Sequence, residues 1–298
     1  MECLPRGGRV AVIRLRSLGD CVLTTPALDI LKRSRPDLKL AVVVEDRFRA
    51  VFEENPVVDS ILPPETGALR RWRPELCLNL HGGTRSAWMT RLSGARFRAG
   101  FAHFRNRFAY NVLIPRAQEI LRLDRKVHTA EHLASAMFYL GAEPAEIPRA
   151  RLFTEPRPSG SGHAVIHPIA STPAKTWPAE RFLAVAGHLR SHGLDPVFIG
   201  AAADDLSPFR QFRTVAGASL SEIKRLLATA SLFAGNDSGP AHMAAAFGLP
   251  VVVIFGASDP AIWGPWRTAA EVVTSPSGVA GVEVSQVLDA LARLRVPA

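Results

Sequence analysis

The stretch richest in groups suited to chemistry lies at residues 234–248 and reads AGNDSGPAHMAAAFG. An apolar strand leads into Asn-Asp-Ser-Gly, and a helix then starts with a proline in its first turn, a favoured position. Backbone N–H groups near Ser238 and Gly239 would lie at a positive helix terminus, which suits a diphosphate. Asp237 would repel phosphate, so a sugar hydroxyl is its expected ligand, and His242 can reach the same ligand. Helix capping by Asp237 or Ser238 is the alternative interpretation.

A second candidate is the loop HPIASTPAKTWP at residues 167–178. A strand ends there, small residues follow, and Lys175 stands shortly before a helix that begins at a proline. A lysine in such a loop can bind phosphate as a point charge. An exposed loop lysine without a ligand is the alternative.

A third candidate is the turn RLRSLGD at residues 14–20, after the first apolar strand. Gly19 allows a tight turn, and Asp20 can act as a general base on a substrate hydroxyl if partial desolvation raises its pKa from about 4. Capping of the next helix by Asp20 or Ser17 is the alternative, and the local sequence does not separate the two. The spacing is not the GxGxxG dinucleotide fingerprint.

The segment His128–His132 has the H-x-x-E-H spacing of inverted zinc peptidases. That chemistry also needs a third ligand downstream, and the match rests on five residues. We therefore expect a capping or interdomain role for these histidines and no metal site.

Charge is distributed unevenly along the chain. There are 36 Lys and Arg against 27 Asp and Glu, and residues 85–126 hold ten basic and two acidic side chains. This local excess predicts an anionic partner: nucleic acid, a phosphorylated substrate or an acidic membrane surface. A solvated arginine-rich face is the alternative.

The composition is that of an ordinary globular protein, with 47% hydrophobic and 21% charged residues among 298. The apolar runs fall short of the roughly 20 residues of a membrane span. The N-terminus lacks the apolar core of a signal peptide, and the three cysteines are scattered. These features predict a cytoplasmic protein without disulfides.

The elements that must position these residues alternate between strand and helix. In the first half, strands are predicted at 9–15, 38–44, 58–62 and 76–80, and helices at 25–33, 48–54 and 128–140. A proline-rich linker is predicted between 141 and 162. In the second half, strands are predicted at 164–167, 196–199, 231–234 and 250–255, and helices at 178–192, 220–229, 238–247 and 284–294. We expect two α/β domains with parallel sheets, 1–150 and 151–298.

Together the motifs resemble those of the bacterial lipopolysaccharide heptosyltransferases of glycosyltransferase family 9. RVAVIRLRSLGDCVLTTPALDILKRSRPDLKLAVVV is similar to the family's opening strand, turn and helix, and LNLHGGTRSAWMTRLSGARFRAGF to its central N-domain segment. HPIASTPAKTWPAERF and FAGNDSGPAHMAAAFGLPVVVIFGASDPAIWGPW resemble its two nucleotide-sugar motifs. The resemblance extends in order over residues 9–266. It implies a GT-B fold, in which two Rossmann-like domains face each other across a cleft, and a last helix that packs back on the first domain.

The resemblance also implies roles for individual residues. Asp20 falls on the catalytic base. The donor-binding residues would be Ser171, Thr172, Lys175, Asp237, Ser238, Gly239 and His242, with Lys175 on donor phosphate and Asp237 on donor sugar. The acceptor-binding residues would be Ser17, Gly19, Arg85, Arg91, Arg96 and Arg98. Departures from the family pattern are Ile169 in place of a glycine, Leu23 in place of a histidine, and the absence of a cysteine-containing insertion after Val273.

The implied activity is inverting transfer of a sugar, with ADP-heptose expected as the donor and an inner-core lipopolysaccharide-like glycolipid as the anionic acceptor. The nucleotide-diphospho-sugar is a co-substrate, and no further cofactor is expected because a lysine and a helix terminus can supply positive charge. The expected location is the cytoplasm, with peripheral contact to the inner membrane and no nucleic acid partner. A sugar-nucleotide epimerase on the same fold and a non-enzymatic nucleic-acid-binding protein are the alternatives.

Overall fold

The protein was analysed as a computed structural model that describes residues 1, 3–155 and 162–294. The chain divides into two compact units, Met1–Phe153 and Thr154–Ala298. Each unit contains one six-stranded sheet in which every paired strand is parallel. Part of the predicted linker, residues 156–161, lies outside the described residues.

The first unit has the strand order β3-β2-β1-β4-β5-β6. Its strands are β1 (Arg9–Ile13), β2 (Lys39–Val43), β3 (Ser60–Leu62), β4 (Leu76–Asn79), β5 (Phe97–Phe101) and β6 (Val112–Ile114). Its helices are α1 (Leu18–Ser34), α2 (Thr66–Trp72), α3 (Thr84–Arg91), α4 (Ala117–Leu121) and α5 (Thr129–Tyr139). Buried aliphatic residues fill β1, β2 and β4, as a sheet covered on both faces requires.

The first helix begins seven residues earlier than the predicted Thr25. Ser17 takes the N-cap position, and its backbone N–H donates to Asp20 Oδ2 in a capping box, so the turn SLGD is part of α1. Pro26 therefore lies inside the helix. Thr25 Oγ1 donates to the Val22 carbonyl at 2.8 Å, and this is the carbonyl that Pro26 cannot bond.

The second unit repeats the same topology, with the order β12-β11-β10-β7-β8-β9. Its strands are β7 (His163–His167), β8 (Asp195–Gly200), β9 (Arg213–Ala216), β10 (Leu232–Asn236), β11 (Val251–Ile254) and β12 (Ala270–Val273). Its helices are α6 (Ala179–Ser191), α7 (Leu220–Ala228), α8 (Gly239–Phe247), α9 (Pro260–Trp263) and α10 (Val284–Arg293). The last helix, α10, packs on α6 and β12 within this unit. Within the described residues, no helix is both long and apolar enough to cross a membrane.

In both sheets the strand order reverses direction between the first and fourth strands of the unit, β1 beside β4 and β7 beside β10. In open parallel sheets this reversal opens a crevice at the carboxyl ends of the strands, where ligands bind. Asp20 follows β1, whereas Lys175 follows β7 and Asp237 follows β10. Asp20, Lys175 and Asp237 thus follow the strands that flank the switch points of their sheets.

Candidate active site

In the second unit, the fold brings together Lys175 and Asp237, which are 62 residues apart in sequence. Lys175 Nζ lies 3.0 Å from Asp237 Oδ2, and the two side chains are 27% and 10% exposed. The lysine comes from a 3₁₀ helix at Pro173–Lys175, and the aspartate follows β10 directly. The pair therefore presents one cation and one hydrogen-bonding carboxylate at the edge where ligands bind such sheets.

Asn236 holds the lysine loop against the end of β10. Its Nδ2 donates to the Pro168 carbonyl at 2.7 Å, and its Oδ1 accepts from the Trp177 backbone N–H at 3.1 Å. The Trp177 indole is buried and donates to the Val282 carbonyl at 2.8 Å. Both ends of the loop are thus fixed, and Ser171 and Thr172 lie exposed between them.

The start of α8 is a polar helix terminus that its N-cap side chain leaves open. Ser238 is the N-cap residue, but its hydroxyl hydrogen-bonds His167 Nδ1 at 2.9 Å instead of the helix backbone. Burial lowers the pKa of His167 to about 4, so the ring is neutral at pH 7. Gly239 opens the helix, and His242 is buried in its first turn. A helix terminus of this kind favours an anionic ligand.

In the first unit, the Asp20 carboxylate is hydrogen-bonded to the N-cap residue of α1 and is also partly exposed to solvent. Its Oδ2 accepts from the Ser17 backbone N–H at 3.3 Å and from the Ser17 hydroxyl at 3.0 Å. Its Oδ1 lies 3.5 Å from Arg14 Nη1, and the Asp20 side chain is 21% exposed. The capping interpretation is therefore correct for Asp20, and the remaining exposure leaves the carboxylate open to a substrate.

The Arg14 guanidinium is a buried cation behind Asp20. Its side chain is 7% exposed, and its Nε donates to Thr24 Oγ1 at 3.3 Å. Burial lowers the pKa of Arg14 from its ordinary value, whereas the Asp20 charge acts in the opposite direction. Arg14 and Asp20 thus form a partly buried ion pair beside the switch point.

Sequence reasoning gave no role at this site to two histidines near the ion pair, His81 and His132. His81 follows β4, and burial, then the Arg14 charge, lowers its pKa. His132 stacks on Phe101 at 4.0 Å between ring centroids, and burial, with lesser effects from His103 and Arg14, lowers its pKa to about 4. The position of His81 directly after a predicted strand was a usable signal, whereas His132 reaches the site only through tertiary packing.

The four arginines proposed for acceptor binding do not lie together. Arg85 stands at the start of α3, which follows β4, and so lies at the same edge of the sheet as Asp20. Arg91 ends α3, Arg96 precedes β5 and Arg98 is the second residue of β5, so these three lie toward the opposite edge. Arg98 donates to the Ala95 and Ala109 carbonyls, and the Arg96 guanidinium stacks over the ring of Phe97.

The H-x-x-E-H segment caps helix α5. His128 is the N-cap residue, and its Nδ1 accepts from the Ala130 N–H at 3.1 Å. Glu131 accepts from the His128 N–H and forms an ion pair with Arg125 at 2.6 Å. These bonds give His128 and Glu131 the capping role that the alternative interpretation predicted.

Comparison with known proteins gives one consistent family. A family profile described as "Glycosyltransferase family 9 (heptosyltransferase)" matches residues 67–286. The lipopolysaccharide heptosyltransferase 3 of Escherichia coli is 27% identical over 287 residues, covering 85% of this chain and 84% of that protein. Two solved structures share the fold. A family 9 glycosyl transferase from Veillonella parvula superimposes with a TM-score of 0.85 at 22% identity, covering 99% and 98% of the two chains. The E. coli heptosyltransferase WaaC with ADP-2-deoxy-2-fluoro heptose superimposes with a TM-score of 0.78 at 20% identity, covering 96% and 99%.

Two Rossmann-like units of identical strand order, together with the match to these solved structures, define the GT-B fold. The chain belongs to glycosyltransferase family 9, the heptosyltransferases. The expected fold and enzyme class are thereby confirmed, and the epimerase and the non-enzymatic nucleic-acid-binding protein are set aside.

Proposed function

We propose that this enzyme transfers heptose, with inversion, from ADP-heptose to an anionic glycolipid that resembles the inner core of lipopolysaccharide. Its curated relatives include lipopolysaccharide heptosyltransferases, and a structural neighbour binds an ADP-heptose analogue. The observation that carries the proposal is the contact between Lys175 and Asp237 beside the open terminus of α8. Residues 1–150 are proposed as the acceptor domain and residues 151–298 as the donor domain.

On this proposal, the second unit binds the donor. Lys175 and the first-turn amides of α8, beginning at Gly239, would stabilise the departing diphosphate, since preorganised positive charge acts where negative charge develops. Asp237 would accept hydrogen bonds from heptose hydroxyls, and donor binding would exchange part of its contact with Lys175 for sugar and phosphate contacts. Ser171, Thr172, Ser238 and His242 complete the proposed donor set.

The first unit would bind the acceptor and activate it. Asp20 takes the proton of the acceptor hydroxyl as its oxygen attacks the anomeric carbon; the bond from that carbon to the diphosphate oxygen breaks, and the new glycosidic bond forms on the opposite face. Ser17 at the N-cap of α1 and Gly19 in the first turn of that helix are proposed to line the acceptor site, and Arg85 at the same sheet edge would bind an acceptor phosphate or carboxylate. The Nδ1 atom of His81 is buried and makes no hydrogen bond within the described residues, and the ring lies beside the ion pair of Arg14 and Asp20.

A lipid-borne acceptor also implies a place of action. We propose that the enzyme works in the cytoplasm and contacts the cytoplasmic face of the inner membrane peripherally.

The test is a thermal-shift panel of nucleotide sugars followed by product analysis. A ligand that binds only the folded protein stabilises it by mass action, by about 2.7 kcal/mol at a concentration 100 times its Kd. ADP-heptose should raise the melting temperature more than UDP- or GDP-sugars do, and a heptosylated product should form only when an acceptor is added. Equal shifts for every nucleotide sugar, or turnover of donor without acceptor, would contradict the proposal.

A further inference from the structure

Exposed apolar side chains are concentrated on one surface of the first unit. The structure describes five large apolar residues as exposed, and three of them lie together: Trp88 at 50%, Leu92 at 46% and Phe108 at 56%. The Trp88 and Phe108 rings meet edge to face with centroids 5.2 Å apart. Single exposed apolar residues are ordinary, but a contiguous group marks a contact surface.

A rigid support displays these side chains. Trp88 lies on α3, Leu92 is the C-cap residue one turn further along, and Phe108 belongs to a 3₁₀ helix at Arg107–Ala109. The neighbours Ala87 and Ala109 are completely buried and pack in one small core with Tyr110. The helix α3 and the 3₁₀ helix therefore pack against each other through these buried alanines, and the rings of Trp88 and Phe108 lie outside that core.

The chain segment that carries these side chains has charge of a single sign. Residues 76–118 contain seven arginines and no acidic residue. Three exposed arginines flank the apolar group in sequence, Arg91 on α3 and Arg105 and Arg107 beside Phe108. We define the aromatic patch as Trp88, Leu92, Phe108, Arg91, Arg105 and Arg107.

We propose that the aromatic patch docks the enzyme on an anionic lipid bilayer. Aromatic rings with arginines around them suit the boundary between lipid headgroups and acyl chains, where the rings insert and the cations bind phosphate. A second copy of the chain fits less well, because a two-fold contact places each patch against its own equivalent and would bring arginines against arginines. This inference rests on the proposed function, because docking on a bilayer would bring the enzyme to a glycolipid acceptor that is held there.

Vesicle co-sedimentation tests the aromatic part of the patch. The wild-type enzyme should bind vesicles of phosphatidylglycerol and phosphatidylethanolamine, and the double variant Trp88→Ser/Phe108→Ser should bind at least tenfold more weakly. Because both rings are exposed, the variant should retain the wild-type circular dichroism spectrum and melting temperature. Tyr139→Ser, which removes an aromatic ring that is 46% exposed on α5, is the matched control and should bind as the wild type does.

The arginines are tested separately by charge. Arg105→Gln and Arg107→Gln should each weaken binding to the anionic vesicles about fivefold, which corresponds to about 1 kcal/mol per residue. The effect should disappear at high salt and on phosphatidylcholine vesicles. Arg210→Gln removes an exposed arginine from the second unit and should leave binding unchanged.

Three outcomes would overturn the proposal. The first is wild-type vesicle binding in all three patch variants, and the second is an equal loss of binding in Tyr139→Ser. The third is a self-association of the wild type that the aromatic variant abolishes without a change in vesicle binding. Heptosyl transfer to a delipidated, water-soluble acceptor tests the proposed transferase function independently of membrane binding. The aromatic variant should retain that activity. An inactive wild type would count against the proposed transferase function, and the vesicle-binding experiment would still test the aromatic patch.

Discussion

Replacement of Asp20 by asparagine separates a catalytic role from the capping role that the structure shows. Asparagine retains an oxygen that can accept from the Ser17 N–H, so the capping box is largely preserved. The change removes the negative charge 3.5 Å from the guanidinium of buried Arg14. A pair at that distance has a gross attraction of about 5 kcal/mol at an effective dielectric constant of about 20, most of it offset by desolvation.

The net loss of stability follows from the surroundings of the pair. Loss of one partner from a fully buried pair costs about 3–5 kcal/mol, but Asp20 is one-fifth exposed and Thr24 remains as a partner of Arg14. We expect Asp20→Asn to lose about 1–3 kcal/mol, or about 3–10 °C in the melting temperature of the first unit. Turnover should fall by about 10² or more while donor affinity is preserved, because only the proton acceptor is lost.

The double variant Arg14→Met/Asp20→Asn then distinguishes the two effects. Removal of the unpaired buried cation should restore most of the lost stability without restoring turnover. Glu222→Gln, which changes an equivalent capping-box acid in α7, is the control and should retain full activity. Calorimetric melting and a product assay at saturating donor provide the measurements. Wild-type turnover in Asp20→Asn, or turnover restored together with stability in the double variant, would refute the base assignment.

Three further predictions concern other residues of the two units. Lys175→Ala should weaken ADP binding in calorimetry by about 1.5–3 kcal/mol, whereas Asp237→Ala should weaken ADP-heptose more than ADP; equal losses for both ligands would remove the sugar contact from Asp237. Because the folded pKa of His167, about 4, lies below the ordinary value near 6.5, its contribution to stability is complete above pH 6.5 and is lost as the pH falls through 4. The melting temperature of His167→Gln should therefore fall less over that range than that of the wild type, and parallel curves would contradict this. Arg98→Gln should lower stability by about 1–2 kcal/mol, because two carbonyls lose their donor, and a raised acceptor KM at unchanged stability would instead favour direct acceptor binding.

Local patterns were sufficient for several elements whose signal lies within one segment of the chain. The start of α8 follows from a strand, an N-cap serine and a proline in the first turn, and its observed range differs from the predicted one by a single residue. The repeated strand-helix alternation likewise predicted two parallel sheets. In the first half, the expectation failed at α1, because Pro26 was taken as a marker of the first turn although Thr25 satisfies the freed carbonyl inside the helix.

Several short elements were not predicted from local patterns, although the edge strand β3 was. The strands β5, β6, β9 and β12 and the helices α2 and α3 were not predicted, because three to eight residues carry too little periodicity to distinguish them from loops. Their formation depends on pairing with neighbours that are distant in sequence. Helix α3 carries Arg85 and two residues of the aromatic patch, Trp88 and Arg91, so the sequence alone did not place these residues on one helix.

The sequence by itself determined which residue types are present and which of them follow a strand: Asp20 after the first, Lys175 after another and Asp237 after a third. Only the tertiary structure decided that Lys175 and Asp237 meet, that Arg14 lies buried behind Asp20, and that Arg91, Arg96 and Arg98 lie toward the sheet edge opposite to Arg85. The reason is that spacing along the chain fixes local conformation, whereas partner and exposure depend on which strands pair. Strand pairing is set by the burial of a whole sheet and not by any one segment.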